Sequence, residues 1–187
     1  MIVITGRTRS GKDTVAKYMV ENLGYKFIVT YTDRPMRKTE QDGREHHFIT
    51  EEEMDELFKS DDVVLRTHIV DPVLQKEIAG YKGYRYCTKS ADLTDESVII
   101  LDTNGIRDLE KTGKEFILIK VVSSYKNLQE RAKESGIEKS VFEKRYMDEE
   151  AQFTESNRGY SGLFIENNGT LKDLYRRTDA LVKSIRK

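Results

Sequence analysis

The chain opens with a short apolar run, Ile2-Val3-Ile4, which predicts a buried strand. Val15, Tyr18, Met19 and Leu23 then recur at helical spacing, and Gly24 stands where a helix C-terminus usually turns. Lys26-Phe27-Ile28-Val29-Thr30 reads as a second strand. A strand, helix and strand in that order imply a parallel sheet with a right-handed crossover. His46-His47-Phe48-Ile49 reads as a short strand, and Thr50 with Glu53 as a capping box opening a helix with Met54, Leu57 and Phe58 on one face. A strand is expected between Asp61 and Val70, and a β segment at Tyr84-Arg85-Tyr86-Cys87-Thr88; the stretch from Asp71 to Lys82 has no clear period. Val98-Ile99-Ile100-Leu101 is continuously apolar, as in a strand covered on both faces. Phe116 to Val122 predicts the next strand. Ser124 caps a helix through Leu128 and Arg131 that Gly136 ends, and Ser140 with Glu143 reads as a capping box for a long charged helix. Leu163-Phe164-Ile165 predicts the last strand. Leu171, Leu174, Tyr175, Thr178, Leu181, Val182 and Ile185 form the stripe of a final core-packed helix.

Chemistry enters between the first strand and the first helix. Gly6-Arg7-Thr8-Arg9-Ser10-Gly11-Lys12-Asp13-Thr14 has the glycine and lysine spacing of a phosphate-binding P-loop. Glycines at 6 and 11 allow turn angles that side chains forbid, so backbone N–H groups can converge on phosphate oxygens. The helix behind them adds the positive end of its dipole, and Lys12 a mobile ammonium. Asp13 stands where Ser or Thr usually ligates magnesium. Its carboxylate can hold the ion directly or through water, and Thr14 offers a hydroxyl beside it.

Three further groups are candidates. Tyr31 to Glu40 is polar and basic, with Arg34, Arg37 and Lys38 on what Pro35 makes a loop, beyond the carboxyl end of a strand. Arginine's planar fork suits bidentate phosphate binding. Asp102, after the Val98–Leu101 run, is either a magnesium partner or the cap of the following helix. Arg131, Lys133, Lys139, Lys144 and Arg145 bracket a short loop between helices, which could close as a lid.

Composition narrows the class. The 187 residues suit one α/β unit with a small inserted lobe. Thirty-two Lys and Arg against 33 Asp and Glu leave a net charge of −1, which argues against a dedicated nucleic-acid or membrane-surface protein. No apolar run approaches the ~20 residues of a membrane span, and no signal peptide is read at the start. One cysteine, Cys87, forms no internal disulfide, and a reducing cytoplasm is the expected compartment. His46 and His47 are adjacent on a strand and point apart, and His68 lacks partners at metal spacing, so no zinc is expected.

Three blocks together resemble guanylate kinase and its relatives among the nucleoside monophosphate kinases. They are the P-loop; Thr30-Tyr31-Thr32-Asp33-Arg34-Pro35-Met36-Arg37 with Glu40, Gly43 and His47-Phe48-Ile49-Thr50; and the C-terminal half with Asp102, Arg131, Lys144-Arg145 and Ile165-Glu166-Asn167-Asn168. The resemblance implies a P-loop parallel-sheet core flanked by helices (residues 1–30 and 91–187), with a helical lid at about 132–145. It implies a nucleoside-monophosphate-binding lobe at 31–90. It implies ATP with Mg2+ as donor, a nucleoside monophosphate (GMP or dGMP) as acceptor, and a monomer or homodimer. Lys12, Arg34, Arg131 and Arg145 would be catalytic. Gly6 to Thr14 and Asn168 would bind ATP. Thr30, Arg34, Arg37, Glu77, Tyr86, Thr88 and Asp102 would bind the acceptor, and Asp13 and Asp102 would serve the metal. His46 replaces a phosphate-contacting tyrosine, and Ser135 stands where a lid arginine is expected. The base-reading acid falls at Leu65 or Arg66 counted forward and at Glu77 counted back; Glu77 is preferred, with Asn104 or Asp102 as the second base contact. Two alternatives are a different acceptor and a non-catalytic phosphopeptide-binding module.

Overall fold

The structure, a computed structural model, describes residues 1–38, 40–44, 46–70, 79–156 and 162–186, with only the backbone of 151–156. Its contacts divide the chain into two units. One comprises Met1–Phe27, Asp95–Ile106 and Glu115–Lys187; the other comprises Ile28–Thr94 and Arg107–Lys114.

The first unit is built on β1 (Ile2–Gly6), α1 (Lys12–Leu23) and β2 (Lys26–Phe27). It continues through β7 (Ser97–Ile100), β8 (Ile117–Val122), α4 (Tyr125–Glu134), α5 (Lys139–Ser156), β9 (Phe164–Glu166) and α6 (Leu171–Ile185). Its five strands run in the order β2-β7-β1-β8-β9, every pair parallel. Sheets of this kind are covered on both faces, which is why β1 and β7 are apolar without alternation. Ile2, Ile4, Val98, Ile119 and Val121 meet Val15, Ala16 and Met19 of α1 and Leu174 and Val182 of α6 in one buried cluster. Tyr18 and Tyr175 stack between the two helices at 4.1 Å. Gly24 ends α1 at φ 74°, its N–H returning to the Met19 carbonyl.

The second unit holds β3 (Thr30–Thr32), β4 (His46–Phe48), α2 (Glu51–Lys59), β5 (Val63–Ile69) and β6 (Tyr84–Lys89). Its sheet order is β4-β3-β6-β5. The Thr50–Glu53 capping box opens α2 with both reciprocal bonds formed. Met54 of α2 packs with Val63 and Cys87, and Tyr31 lies against them. Burial raises the Cys87 thiol to about 11, leaving it a core residue rather than a nucleophile. A further helix, α3 (Thr103–Lys111), begins in the first unit and ends in the second.

Two local expectations are corrected. Lys26 to Thr30 is not one strand. Lys26 and Phe27 edge the parallel sheet beside β7, Ile28 is buried, and Thr30 to Thr32 enter the other sheet. The boundary between the units falls inside a run whose β propensity is uniform. Ser140 is not a helix cap either. Helix α5 begins at Lys139, with the Phe142 N–H already bonded to the Glu138 carbonyl. Phe142 is buried against Leu128 and Ala132, and that contact fixes the register. Among the described residues no helix is long and apolar enough to cross a membrane.

Candidate active site

In the first unit, the turn from β1 into α1 forms a cradle of backbone donors. Gly6 has φ 155° and Gly11 φ 96°, and the exposed Arg9 also adopts a left-handed φ of 66°. A Cβ on Gly11 would lie 2.4 Å from Nδ2 of Asn167, and one on Gly6 2.5 Å from the Val121 carbonyl oxygen. Both glycines are therefore required by angle and by close approach. The Ser10 N–H bonds the Arg7 carbonyl and the Val15 N–H the Gly11 carbonyl. The amides of Arg9, Gly11, Lys12, Asp13 and Thr14 have no protein acceptor among the described residues. They gather at the N-terminus of a 12-residue helix. Such a cluster of unsatisfied N–H dipoles is a site for an anion.

The cleft above the cradle measures about 740 Å³. Its walls include Thr8 to Thr14 except Ser10, together with Arg131, Ser135, Arg145 and Asn167. Arg131 reaches in from α4, its guanidinium donating to the Arg9 carbonyl (3.3 Å) and the Asn167 carbonyl (2.9 Å). Arg145 arrives from α5. The Lys12 ammonium lies 3.9 Å from Asp13, whose side chain is 82% exposed. Residues 12, 131 and 145 thus bring three cations to one cleft.

Asn167, rather than the expected Asn168, faces the loop. The side chain of Asn167 is buried and donates to the Ser10 carbonyl at 2.8 Å, buttressing the loop from below. Asn168 does not line the cleft. Its Oδ1 accepts from the Ser124 amide, the Ser123 hydroxyl and Asn127, and its Nδ2 donates to Glu166. It ties the turn after β9 to the start of α4.

Asp102 follows β7, which pairs with β1, so its backbone stands at the carboxyl end of the strand beside the one that feeds the loop. One carboxylate oxygen accepts from the Gly105 N–H at 2.8 Å and the carbonyl accepts from Ile106, so Asp102 caps α3. The other oxygen has no hydrogen-bond partner among the described residues. No trio of His, Cys, Asp or Glu placed to hold a metal occurs among the described residues. Single carboxylates such as Asp13 and Asp102 fit an ion that keeps waters and takes nucleotide phosphate oxygens, as Mg2+ does.

In the second unit, the period of two in the strands sorts the candidates. Tyr31, His47 and Cys87 share the face turned to α2, and Thr30, His46, Tyr86 and Thr88 belong to the other. Thr30 Oγ1 and His46 Nδ1 are 2.7 Å apart, and the His46 and Tyr86 rings meet edge-on at 5.4 Å. Arg34 joins this face. Its Nε donates to the Tyr86 hydroxyl (3.2 Å), one Nη to the Pro35 carbonyl (2.8 Å) and the other to Glu40 (2.8 Å). Among the described residues three of its five N–H groups are used, which leaves one on each Nη. Arg37 is exposed, and its amide also donates to Glu40. Glu40 therefore organises the whole arginine hairpin. The Arg34 guanidinium, with the Arg37 amide second, holds the Glu40 carboxyl at about 2. On the α2 face, Arg85 is bound to Asp33 and Asp55. Glu77, the preferred base reader, lies outside the described residues.

A sequence profile of the guanylate kinase family matches residues 1–184. The chain belongs to the guanylate kinase family. The guanylate kinase of Fusobacterium nucleatum is 39% identical over 62 residues, 33% of this chain and 34% of that one. The guanylate kinase of Sus scrofa is 25% identical over 197 residues, 100% of this chain and 93% of the other. The crystal structure of guanylate kinase from Anaplasma phagocytophilum superposes with a TM-score of 0.63 over 99% of this chain and 85% of its own, at 14% identity, a likeness of fold. The chain spans 34%, 64% and 46% of the lengths of the relatives from F. nucleatum, Clostridium tetani and Arabidopsis thaliana. The guanylate kinase family is one of phosphotransferases. The parallel five-strand sheet flanked by helices is what this chain shares with that fold.

Proposed function

We propose that the chain transfers the terminal phosphoryl group of ATP to a nucleoside monophosphate, GMP or dGMP. The observation that carries this reading is the set of five amides without acceptors among the described residues, backed by Lys12 and facing Arg131 and Arg145. A polyphosphate supplies the acceptors those donors lack. In the second unit the acceptor phosphate would take the two remaining Arg34 N–H groups and the Tyr86 hydroxyl, with Arg37 nearby. Thr30 and Thr88 offer hydroxyls to the base on the same face, and Glu77 would read its edge.

The chemistry needs no covalent enzyme intermediate. An oxygen of the acceptor phosphate forms a bond to the terminal phosphorus of ATP, the bond to the bridging oxygen breaks, and ADP leaves with that oxygen's electron pair. Both reactants are anions, so the barrier is their repulsion and their alignment. Lys12, Arg131 and Arg145 neutralise charge around the moving group and hold it in line. Asp13 and Asp102 would hold Mg2+, which neutralises the outer phosphates when bound.

An ADP-release assay with Mg2+-ATP across GMP, dGMP, AMP, CMP and UMP tests the proposal. The expected result is turnover with GMP or dGMP and at least about tenfold lower kcat/KM for the others, the scale set by hydrogen-bonded base discrimination. Turnover favouring another monophosphate would overturn the choice of acceptor; no turnover with any would overturn the kinase reading.

A further inference from the structure

Glu149 enters neither the sequence motif nor the cleft, yet it grips the phosphate loop. The Thr8 amide donates to both its carboxylate oxygens at 3.0 Å, and the Thr8 hydroxyl donates to one of them. Two neighbours on α5 hold the preceding residue. Arg7 pairs with Glu150, donates to the Tyr146 carbonyl at 3.3 Å and lies over the Tyr146 ring at 4.2 Å. Tyr146 in turn packs on the cluster of Leu128, Ala132 and Phe142. The outer half of the loop is thus fastened to one helix, and that helix also carries Arg145 into the cleft.

We propose that Glu149 is a positioning residue for nucleotide binding. It fixes the Thr8 end of the loop so that the amides of Arg9 and Gly11 to Thr14 stay aimed into the cleft. A rival role, a carboxylate that occupies the phosphate position itself, conflicts with the geometry. Glu149 does not line the cleft, and it takes Thr8 while leaving the five inner donors open. The loop has reason to need an external anchor. Arg9 is held in a left-handed conformation without glycine's freedom, and the Ser10 hydroxyl is buried with no partner among the described residues. A loop with those local disadvantages has little to keep it in shape by itself. Because α5 bears Glu149 and Arg145 four residues apart on adjacent turns, the brace also keeps the loop in register with that arginine.

This inference rests on the ATP-binding reading above, so its test carries a readout that does not depend on ATP. Hydrogen exchange of the Thr8 amide and calorimetric binding of Mg2+-ATP are measured on the full chain, on Glu149→Ala and on Glu149→Gln, with melting curves to verify folding. Glu149→Ala should speed Thr8 exchange and weaken ATP binding about tenfold, the scale of a hydrogen bond to a charged group. Glu149→Gln keeps one acceptor oxygen, so it should fall within about threefold of the parent. Steady-state kinetics should show the Ala defect in KM for ATP, not in KM for the acceptor. Unchanged ATP affinity in a folded Glu149→Ala chain would overturn the proposal, and tighter binding would mean that the carboxylate obstructs the site. A parent chain that binds no ATP would sink the kinase reading instead; the brace would then stand or fall on Thr8 exchange alone.

Discussion

Replacing Gly11 by alanine makes the sharpest demand on the loop geometry. At φ 96° an L-residue is strained, costing roughly 1–2 kcal/mol. The new methyl would also lie 2.4 Å from Asn167 Nδ2, which cannot stay there. Moving that amide breaks its 2.8 Å bond to the Ser10 carbonyl, worth about 1 kcal/mol. Together these reach about 2–3 kcal/mol. At about 2–4 °C per kcal/mol for a chain of this size, the melting temperature should drop ~4–12 °C. Gly24→Ala is the control. Gly24 has φ 74°, but among the described residues nothing beyond its chain neighbours lies within 4 Å of an added Cβ, so only the conformational cost applies. Scanning calorimetry reads both melts, and titration calorimetry reads ATP binding. Gly11→Ala should weaken ATP at least about tenfold because the amides at 11 and 12 swing with the strained peptide; Gly24→Ala should leave it unchanged. A Gly11→Ala chain that melts with Gly24→Ala and binds ATP normally would show that neither the close approach nor the turn angle at Gly11 matters.

Other outcomes follow from the arginine hairpin. Arg34→Lys keeps a charge but loses the fork, so KM for the monophosphate should rise about tenfold or more while KM for ATP moves less than about twofold. Equal changes in both constants would contradict an acceptor role. Glu40 predicts a pH effect. Its carboxyl sits at about 2 in the folded chain against an ordinary 4.5, so the folded state binds fewer protons. The stabilisation is complete above the unfolded value and is lost as pH falls from about 4.5 through 2. Glu40→Gln should flatten the fall of melting temperature in that window, and a slope equal to the parent's would remove Glu40 from the account.

Much of the fold was legible because its signals are local. The Gly24 turn, the Thr50–Glu53 box and the Ser124 cap each act within a few residues, and the apolar runs at Ile2 and Val98 mark strands covered on both sides. Where two long-range choices compete, local pattern fails. Lys26 to Thr30 looks like one strand because nothing within it records that Thr30 pairs with His46 while Phe27 pairs with Val98. Ser140 resembles a cap, but burial of Phe142 outweighs one side-chain bond. The candidate site divides in the same way. Glycine spacing announced the loop, whereas its supports come from far along the chain. Asn167 meets Ser10 across 157 residues and Glu149 meets Thr8 across 141. Asn167 and Asn168 are chemically identical in the sequence, and only the turn after β9 decides which one faces the loop. Glu40 was visible as a motif position, but its grip on Arg34 depends on the hairpin's closure.

In the proposed reading the loop around Lys12 holds ATP for phosphoryl transfer. Steady-state turnover of Mg2+-ATP and GMP by Lys12→Ala, set beside its melting curve, tests this most directly. Removing one such charge should cut kcat/KM by about 10²–10³ with the melting temperature within a few degrees of the parent. A folded Lys12→Ala chain that turns over GMP at the parent's rate would rule out that role for the loop.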